Sequence, residues 1–177
     1  MGKANDNKKS WITAGYALFG DIGPEALNAE KLSNIVGLSR SSFYYYFKTM
    51  SGFEAQLLGK HIENYKLFGE LMSGYTKFEQ LFSKEIMVHK SALSFQRQLL
   101  INRSVERYLE CSQSCRQFTE SKTFELWTKL KNIDPDSKEE WELFKSLRDF
   151  YFVHYGQSDK DPQDILVLLH RYLSTSS

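Results

Sequence analysis

Apolar residues return every three or four positions along almost the whole 177-residue chain, and period-two alternation is hard to find, so the pattern predicts an all-α fold of about nine helices. The first spans residues 10–20, with Ile12, Tyr16 and Phe19 on one stripe and Gly15 offering a point of close approach. Residues 21–24 break it. The second opens at Asn28, whose amide can cap free N–H groups, with Leu27 and Leu32 as a hydrophobic staple, and it closes at Gly37. The third repeats the device with Ser39 as cap and Leu38 and Phe43 as the staple pair. A longer helix over 53–72 turns Leu57, Leu58, Ile62, Tyr65 and Phe68 inward. Thr76 with Glu79 reads as a capping box ahead of a helix over 77–88, and further helices follow over 91–102 and 105–130. Ser137 with Glu140 is a second capping box, opening a helix to about residue 155. Asp161 as cap and Pro162 in the first turn begin the last, which ends near residue 173. The first nine residues and the last four read as flexible ends.

Two short helices joined by a glycine turn, after a longer one, have the layout of a helix-turn-helix. The stretch VGLSRSSFYYYFK, residues 36–48, holds three consecutive tyrosines. At 100° per residue, Phe43 and Phe47 share one side of its helix, Arg40 and Tyr44 another, with Ser41 and Tyr45 beside them. The first side is built to pack. The second carries a guanidinium, hydroxyls and phenols, groups that donate to phosphates and to base edges in a major groove. Half-buried packing of the tyrosines is the plainer reading of the same residues.

Composition narrows the class without choosing it. Hydrophobic residues make up 41% and charged residues 25%, which suits a folded domain, and aromatics reach 15%. A formal net charge of +1 provides no global pull toward nucleic acid or acidic membranes, so such binding has to come from local arrangement. Residues 1–60 hold seven Lys/Arg against five Asp/Glu, and the remainder sixteen against seventeen. The polar start MGKANDNKKS has no signal-type apolar stretch and the longest aliphatic run, 165–169, is too short to span a bilayer, so a cytoplasmic location is expected, with no membrane partner.

Residues 11–53 resemble the DNA-binding head of the tetracycline-repressor (TetR) family of bacterial transcriptional regulators. The matching features are ALF before GDIG in the first helix, LS in the second, VGLS in the turn, and SSFYYYF where the family shows a Thr-hydrophobic-Tyr-x-His/Tyr-Phe pattern. The resemblance implies a head over residues 1–52 and a helical effector and dimerisation domain over 53–177. It also implies that Arg40, Ser41, Tyr44 and Tyr45 reach the major groove of a palindromic double-stranded operator, while Asn28, Ser42 and Tyr46 hold phosphates. Met50 stands where the family usually carries a lysine after the recognition helix, and Lys48 is the candidate replacement. Gly15 replaces the usual alanine, which should weaken the first helix by about 1 kcal/mol. Lys3, Lys8 and Lys9 precede the head, either as an arm for a neighbouring minor groove or as a solubilising tail. The implied activity is that of a repressor released by a ligand. The alternative is an interaction protein that keeps the head's shape without sequence-specific DNA binding, suggested by the near-neutral charge and Met50.

Beyond residue 62 no local motif names a chemistry. The expected last helix is apolar on Ile165, Leu168, Leu169 and Tyr172 and also on Leu166, Val167 and Leu173, and the preceding one has a similar excess at Trp141, Phe144, Leu147, Phe150, Tyr151 and Phe152. In the family the last two helices pair with their copies, so a homodimer through them is expected. Tyr108, Cys111, Cys115 and Phe118 share a helix face, with Phe95 and Trp127 on neighbouring stretches. They read either as the lining for a small apolar or aromatic effector or as core. The helix from Phe53 is the only obvious strut between body and head. Cys111 and Cys115 sit four apart, too far for an unstrained disulfide on a regular helix, and read as small buried hydrophobes, with redox sensing as the outsider. His61, His89, His154 and His170 have no metal-ligand spacing and there is no glycine-rich phosphate loop, so neither an enzyme nor a cofactor is expected.

Overall fold

The computed structural model describes residues 2–82 and 90–154. Among them lie seven α-helices and no strand: α1 (Gly2–Asp21), α2 (Ala29–Val36), α3 (Arg40–Phe47), α4 (Met50–Met72), α5 (Lys90–Ile101), α6 (Glu106–Lys131) and α7 (Lys138–His154). Short 3₁₀ turns cover Pro24–Ala26 and Phe78–Phe82. The expected helix over 77–88 is represented by the second of these turns, residues 83–89 lie outside the described residues, and so does the helix expected after Asp161.

Most of the helix ends follow the local chemistry. Asn28 Oδ1 accepts from Lys31 N at 2.7 Å, and Gly37 closes α2 in the left-handed conformation at φ 73°. Ser39 Oγ accepts from Ser42 N, and Ser137 Oγ accepts from Glu140 N, each at 3.3 Å. Three ends differ from expectation. Helix α1 begins at Gly2, since residues 2–9 contain no proline and the helix can propagate backward from the buried anchor Trp11. Helix α4 begins at Met50, three residues early, because Thr49 Oγ1 accepts from Gly52 N at 2.9 Å and supplies the cap. At residues 76–80 the side chain of Gln80, not that of Thr76, meets the free N–H groups: its Oε1 accepts from Thr76 N at 2.8 Å and Lys77 N at 2.9 Å.

Two hydrophobic clusters organise the packing. The larger runs from Trp11 through Phe43, Phe53 and Leu57 to Phe95, Tyr108 and Cys115, joining α1 to α6 without a break. The smaller gathers Phe124, Trp127, Phe144 and Leu147 where α6 meets α7. Helices α4 and α6 cross so closely that a Cβ on Gly69 would lie 2.4 Å from the Phe118 carbonyl oxygen. Their N-terminal ends are tied by Arg107, whose Nε donates to Glu54 Oε1 at 2.6 Å. Toward α7 the ties are ionic, Arg116 to Asp149 at 3.2 Å and Arg148 to Glu120. Helix α4 is not the only strut between the N-terminal helices and the rest. Helix α1 packs along α5, where Phe19 and Phe95 stack at 4.0 Å between centroids and Gly20 lies against the backbone of Phe95.

Candidate nucleic-acid interface

Helix α3 is held by the apolar side of its own short sequence. Phe43 is fully buried, edge-on to Trp11 at 5.3 Å and to Phe53 at 5.0 Å, and Phe47 lies 4.7 Å from Phe53. The Phe53 ring reaches α1 at Gly15, where a Cβ would sit only 2.2 Å from Cζ. Gly15 is therefore the socket for that ring, and the local helix weakening expected from glycine is the counterpart of a close packing contact.

With Phe43 and Phe47 anchored, helical geometry turns the other residues outward. Arg40 and Ser41 are exposed, Tyr44 is 45% exposed and Tyr45 70%, while Ser42 and Tyr46 are half-buried. Tyr45 is propped from two sides: the Tyr46 ring meets it edge-on at 5.1 Å and the Lys48 ammonium lies 5.6 Å from its centroid. Lys48 Nζ also donates to the Tyr45 carbonyl at 3.1 Å. Arg40, Ser41, Tyr44 and Tyr45 thus form one outward surface, with Ser42 and Tyr46 half-buried at its edge and Lys48 at its C-terminal end. Asn28 is exposed at the start of α2, its side-chain oxygen engaged in the cap.

The join between α3 and α4 has a conformation that sequence reading did not anticipate. Lys48 adopts φ 62° and ψ −51°, and Thr49 N donates to the Phe47 carbonyl at 2.6 Å, the geometry of a classic γ-turn. A non-glycine residue at positive φ is costly and persists only where its surroundings hold it. Here they do: Lys48 N donates to the Tyr44 carbonyl at 3.1 Å, and Gly52 leaves room for the Phe47 carbonyl, which would lie 2.6 Å from a Cβ. Two residues, Lys48 and Thr49, therefore connect the exposed helix to the long helix of the body.

The residues expected to line an effector site divide. Phe95, Tyr108 and Cys111 are buried together in the larger cluster, Trp127 is buried in the smaller one, and Phe118 is 38% exposed. Burial beside Glu54 pushes the Tyr108 phenol up to about 12. Cys111 and Cys115 are free thiols, and hydrogen bonding to Cys111 together with burial raises the Cys115 thiol far above its ordinary value, so it is held protonated. Among the described residues no group of three or more His, Cys, Asp or Glu could hold a metal ion, and no helix is long and apolar enough to cross a membrane.

One polar constellation went unseen in the sequence because its members are scattered. Asn64 Nδ2 donates to Tyr16 Oη at 3.1 Å, Tyr16 Oη lies 2.6 Å from His61 Nδ1, His61 Nε2 lies 3.0 Å from Gln96 Oε1, and Gln96 Nε2 donates to Ser112 Oγ at 2.8 Å. Gln96 Oε1 is an acceptor, so His61 donates from Nε2 and accepts the Tyr16 hydroxyl at Nδ1. This chain of bonds links α1, α4, α5 and α6. Burial lowers the His61 pKa to about 4, keeping the imidazole neutral, and Phe95 stacks on both His61 and Tyr16 at 4.5 Å. The sequence signal was the placement of His61 on the inward face of α4, between Leu57, Leu58 and Tyr65.

A short helical hairpin with one exposed face, set on a long fourth helix and a helical body, is the fold of the TetR-family transcriptional regulators. Two solved structures assigned to that family share it. One, from Rhodococcus sp., superposes with a TM-score of 0.60 over 97% of this chain and 98% of its own, at 12% sequence identity. The other, from Mesorhizobium loti, does so with a TM-score of 0.55 over 93% and 92%, at 14% identity. The likeness is one of fold. No family model and no curated protein matches the sequence.

Proposed function

We propose that the chain is a DNA-binding transcriptional regulator of the TetR type, a repressor that occupies a palindromic operator as a two-fold dimer and leaves it on binding a small molecule. The observation that carries this reading is the outward surface of Arg40, Ser41, Tyr44 and Tyr45 opposite buried Phe43 and Phe47. In this reading Arg40 pairs with a guanine edge and the phenols pack on sugar and thymine methyl surface. Ser42, Tyr46, Lys48 and the Asn28 amide N–H₂ take phosphates, and Lys48 stands in for the lysine that Met50 replaces. Residues 1–52 act as the head and 53–177 as the body.

Dimerisation is required because half-sites of a palindrome lie about 34 Å apart. Leu143 and Phe150, seven apart on α7 and both exposed, supply apolar surface for a helix from a second copy. Its expected companion helix lies outside the described residues.

Selection of bound sequences from a random DNA pool tests the reading. A two-fold half-site is expected, with affinity falling against salt on a log-log slope of about −0.9 per phosphate contact. Absence of any sequence-selective binding would instead identify an interaction module that has kept only the shape of the head.

A further inference from the structure

Cys111 and Cys115 lie one helical turn apart on the inward face of α6, both free thiols, at 4% and 0% exposure. The Cys115 thiol donates to the Cys111 sulfur, and Cys111 in turn donates to the Leu58 carbonyl of α4 at 3.7 Å, so the two sulfurs are already in contact. A direct bond between them is disfavoured, because Cβ atoms four residues apart on a helix lie about 5 to 6 Å from each other and a disulfide needs about 3.8 Å. One atom inserted between the sulfurs removes that mismatch. Two metal–sulfur bonds of about 2.3 Å reach across about 4.6 Å, a span that side chains on adjacent turns meet by a small parting of their rotamers, without bending the helix.

The surroundings select the ion. With no third ligand gathered beside the pair among the described residues, ions that take four ligands, zinc foremost, are poorly served. His61 already commits both ring nitrogens, to Tyr16 and to Gln96. The hydroxyls near Cys115 are neutral: that of Tyr16 is bonded to His61, and that of Tyr65 has no partner among the described residues. The neighbouring Arg116 is paired with Asp149 at 3.2 Å. Two thiolates here must therefore draw their whole countercharge from the ion itself, and a monovalent soft cation would leave an unpaired negative charge in the interior. We propose that Cys111 and Cys115 form a two-coordinate site for a soft divalent cation of the mercuric type. Capture breaks two S–H bonds and forms two S–Hg bonds, releases two protons to solvent and transfers no electrons, and it leaves a neutral bridge in the core. The cost of removing protons from buried thiols shuts out weakly thiophilic ions. The site stands or falls independently of the DNA-binding reading.

The test adds mercuric chloride to the full chain in the presence of excess glutathione, a monothiol competitor, and measures the mercury that stays with the protein through gel filtration. The wild type should retain one ion per chain. Cys111→Ala and Cys115→Ala should each bind at least about a hundredfold more weakly, since one thiol alone loses the advantage of a second held beside it. The ion should also raise the wild-type melting temperature, because it ties together two sulfurs that only the folded helix sets side by side, whereas an ion that merely traps opened chains would lower it. Cadmium chloride, which calls for more ligands, should raise it less. No retention by the wild type, two ions per chain, retention that survives in either single variant, a melting temperature that falls with mercury, or equal stabilisation by cadmium would each overturn the proposal. If an alanine variant does not fold, the wild-type stoichiometry and melting shift decide.

Discussion

The outer face of α3 and the inner face of α4 use similar side chains to opposite ends. On α3, Tyr44 and Tyr45 hold aromatic surface and hydroxyls toward solvent, supported from the side by Tyr46 and Lys48. On α4, His61 faces Tyr16 and Gln96 in a buried run of hydrogen bonds that ends at Ser112. Burial with full satisfaction marks a structural connection. On the proposed reading, the exposed aromatic surface of α3 is the part that meets DNA. The two faces therefore predict different losses, stability for one and binding for the other.

The largest loss is expected from the inner face. His61→Leu removes both ring nitrogens and leaves the Tyr16 hydroxyl and the Gln96 carbonyl oxygen buried without them, a cost of about 4 kcal/mol measured by urea unfolding. A loss below about 1 kcal/mol would show that the network is dispensable. Acid should do nearly as much. His61 titrates near 4 when folded and 6.5 otherwise, so between those values only the unfolded chain binds the proton. Its contribution is complete above pH 6.5 and is lost as the pH falls through 4, amounting to about 3 kcal/mol. The slope of stability against pH in this window should vanish in His61→Gln.

Next comes the close packing of α4 against α6 and α1. Gly69→Ala sets a Cβ against the backbone of Phe118, and Gly15→Ala sets one against the Phe53 ring. Each should cost about 1 to 3 kcal/mol in unfolding experiments, Gly69→Ala the more because a backbone carbonyl cannot swing aside. The outer face should give the reverse pattern. Arg40→Ala should lower operator affinity by about 1 to 3 kcal/mol and relax preference at one base, as read by competition binding with base-substituted sites. The smallest expected change is in the stability of Tyr45→Ala, within about 0.5 kcal/mol by thermal unfolding, alongside weakened DNA binding. If Tyr45→Ala instead unfolds the protein, the contrast between the faces collapses.

Much of the N-terminal geometry was legible because it is local. Asn28, Gly37 and Ser39 act on N–H and C=O groups within four residues of themselves, and Phe43 and Phe47 select the buried side of α3 by spacing alone. Helix starts at Gly2 and Met50 were missed for reasons of equal simplicity. The first has no apolar stripe to announce it, and the second places Gly52 in a first turn, where glycine reads as a break. At residues 76–80 the longer Gln80 side chain takes the role that the capping box gave to Glu79, reaching back to Thr76 N and also to Lys77 N.

The effector candidates show where such reading ends. Tyr108, Cys111 and Phe118 share a face by spacing, yet Phe118 is partly exposed and Trp127 belongs to a separate cluster, since α6 passes from one set of neighbours to another along its length. What the sequence by itself determined is the order of the seven described helices, the caps of α2 and α3, and the sidedness of Arg40 to Phe47, all set by forces acting over one or two turns. What only the tertiary structure decided is the partnership of Tyr16 with His61, separated by 45 residues, the unpaired hydroxyl of Tyr65, and the ring of Phe53 in the space left by Gly15. Those depend on which helices meet, and side chains that are distant in the chain become neighbours only when packing brings their helices together.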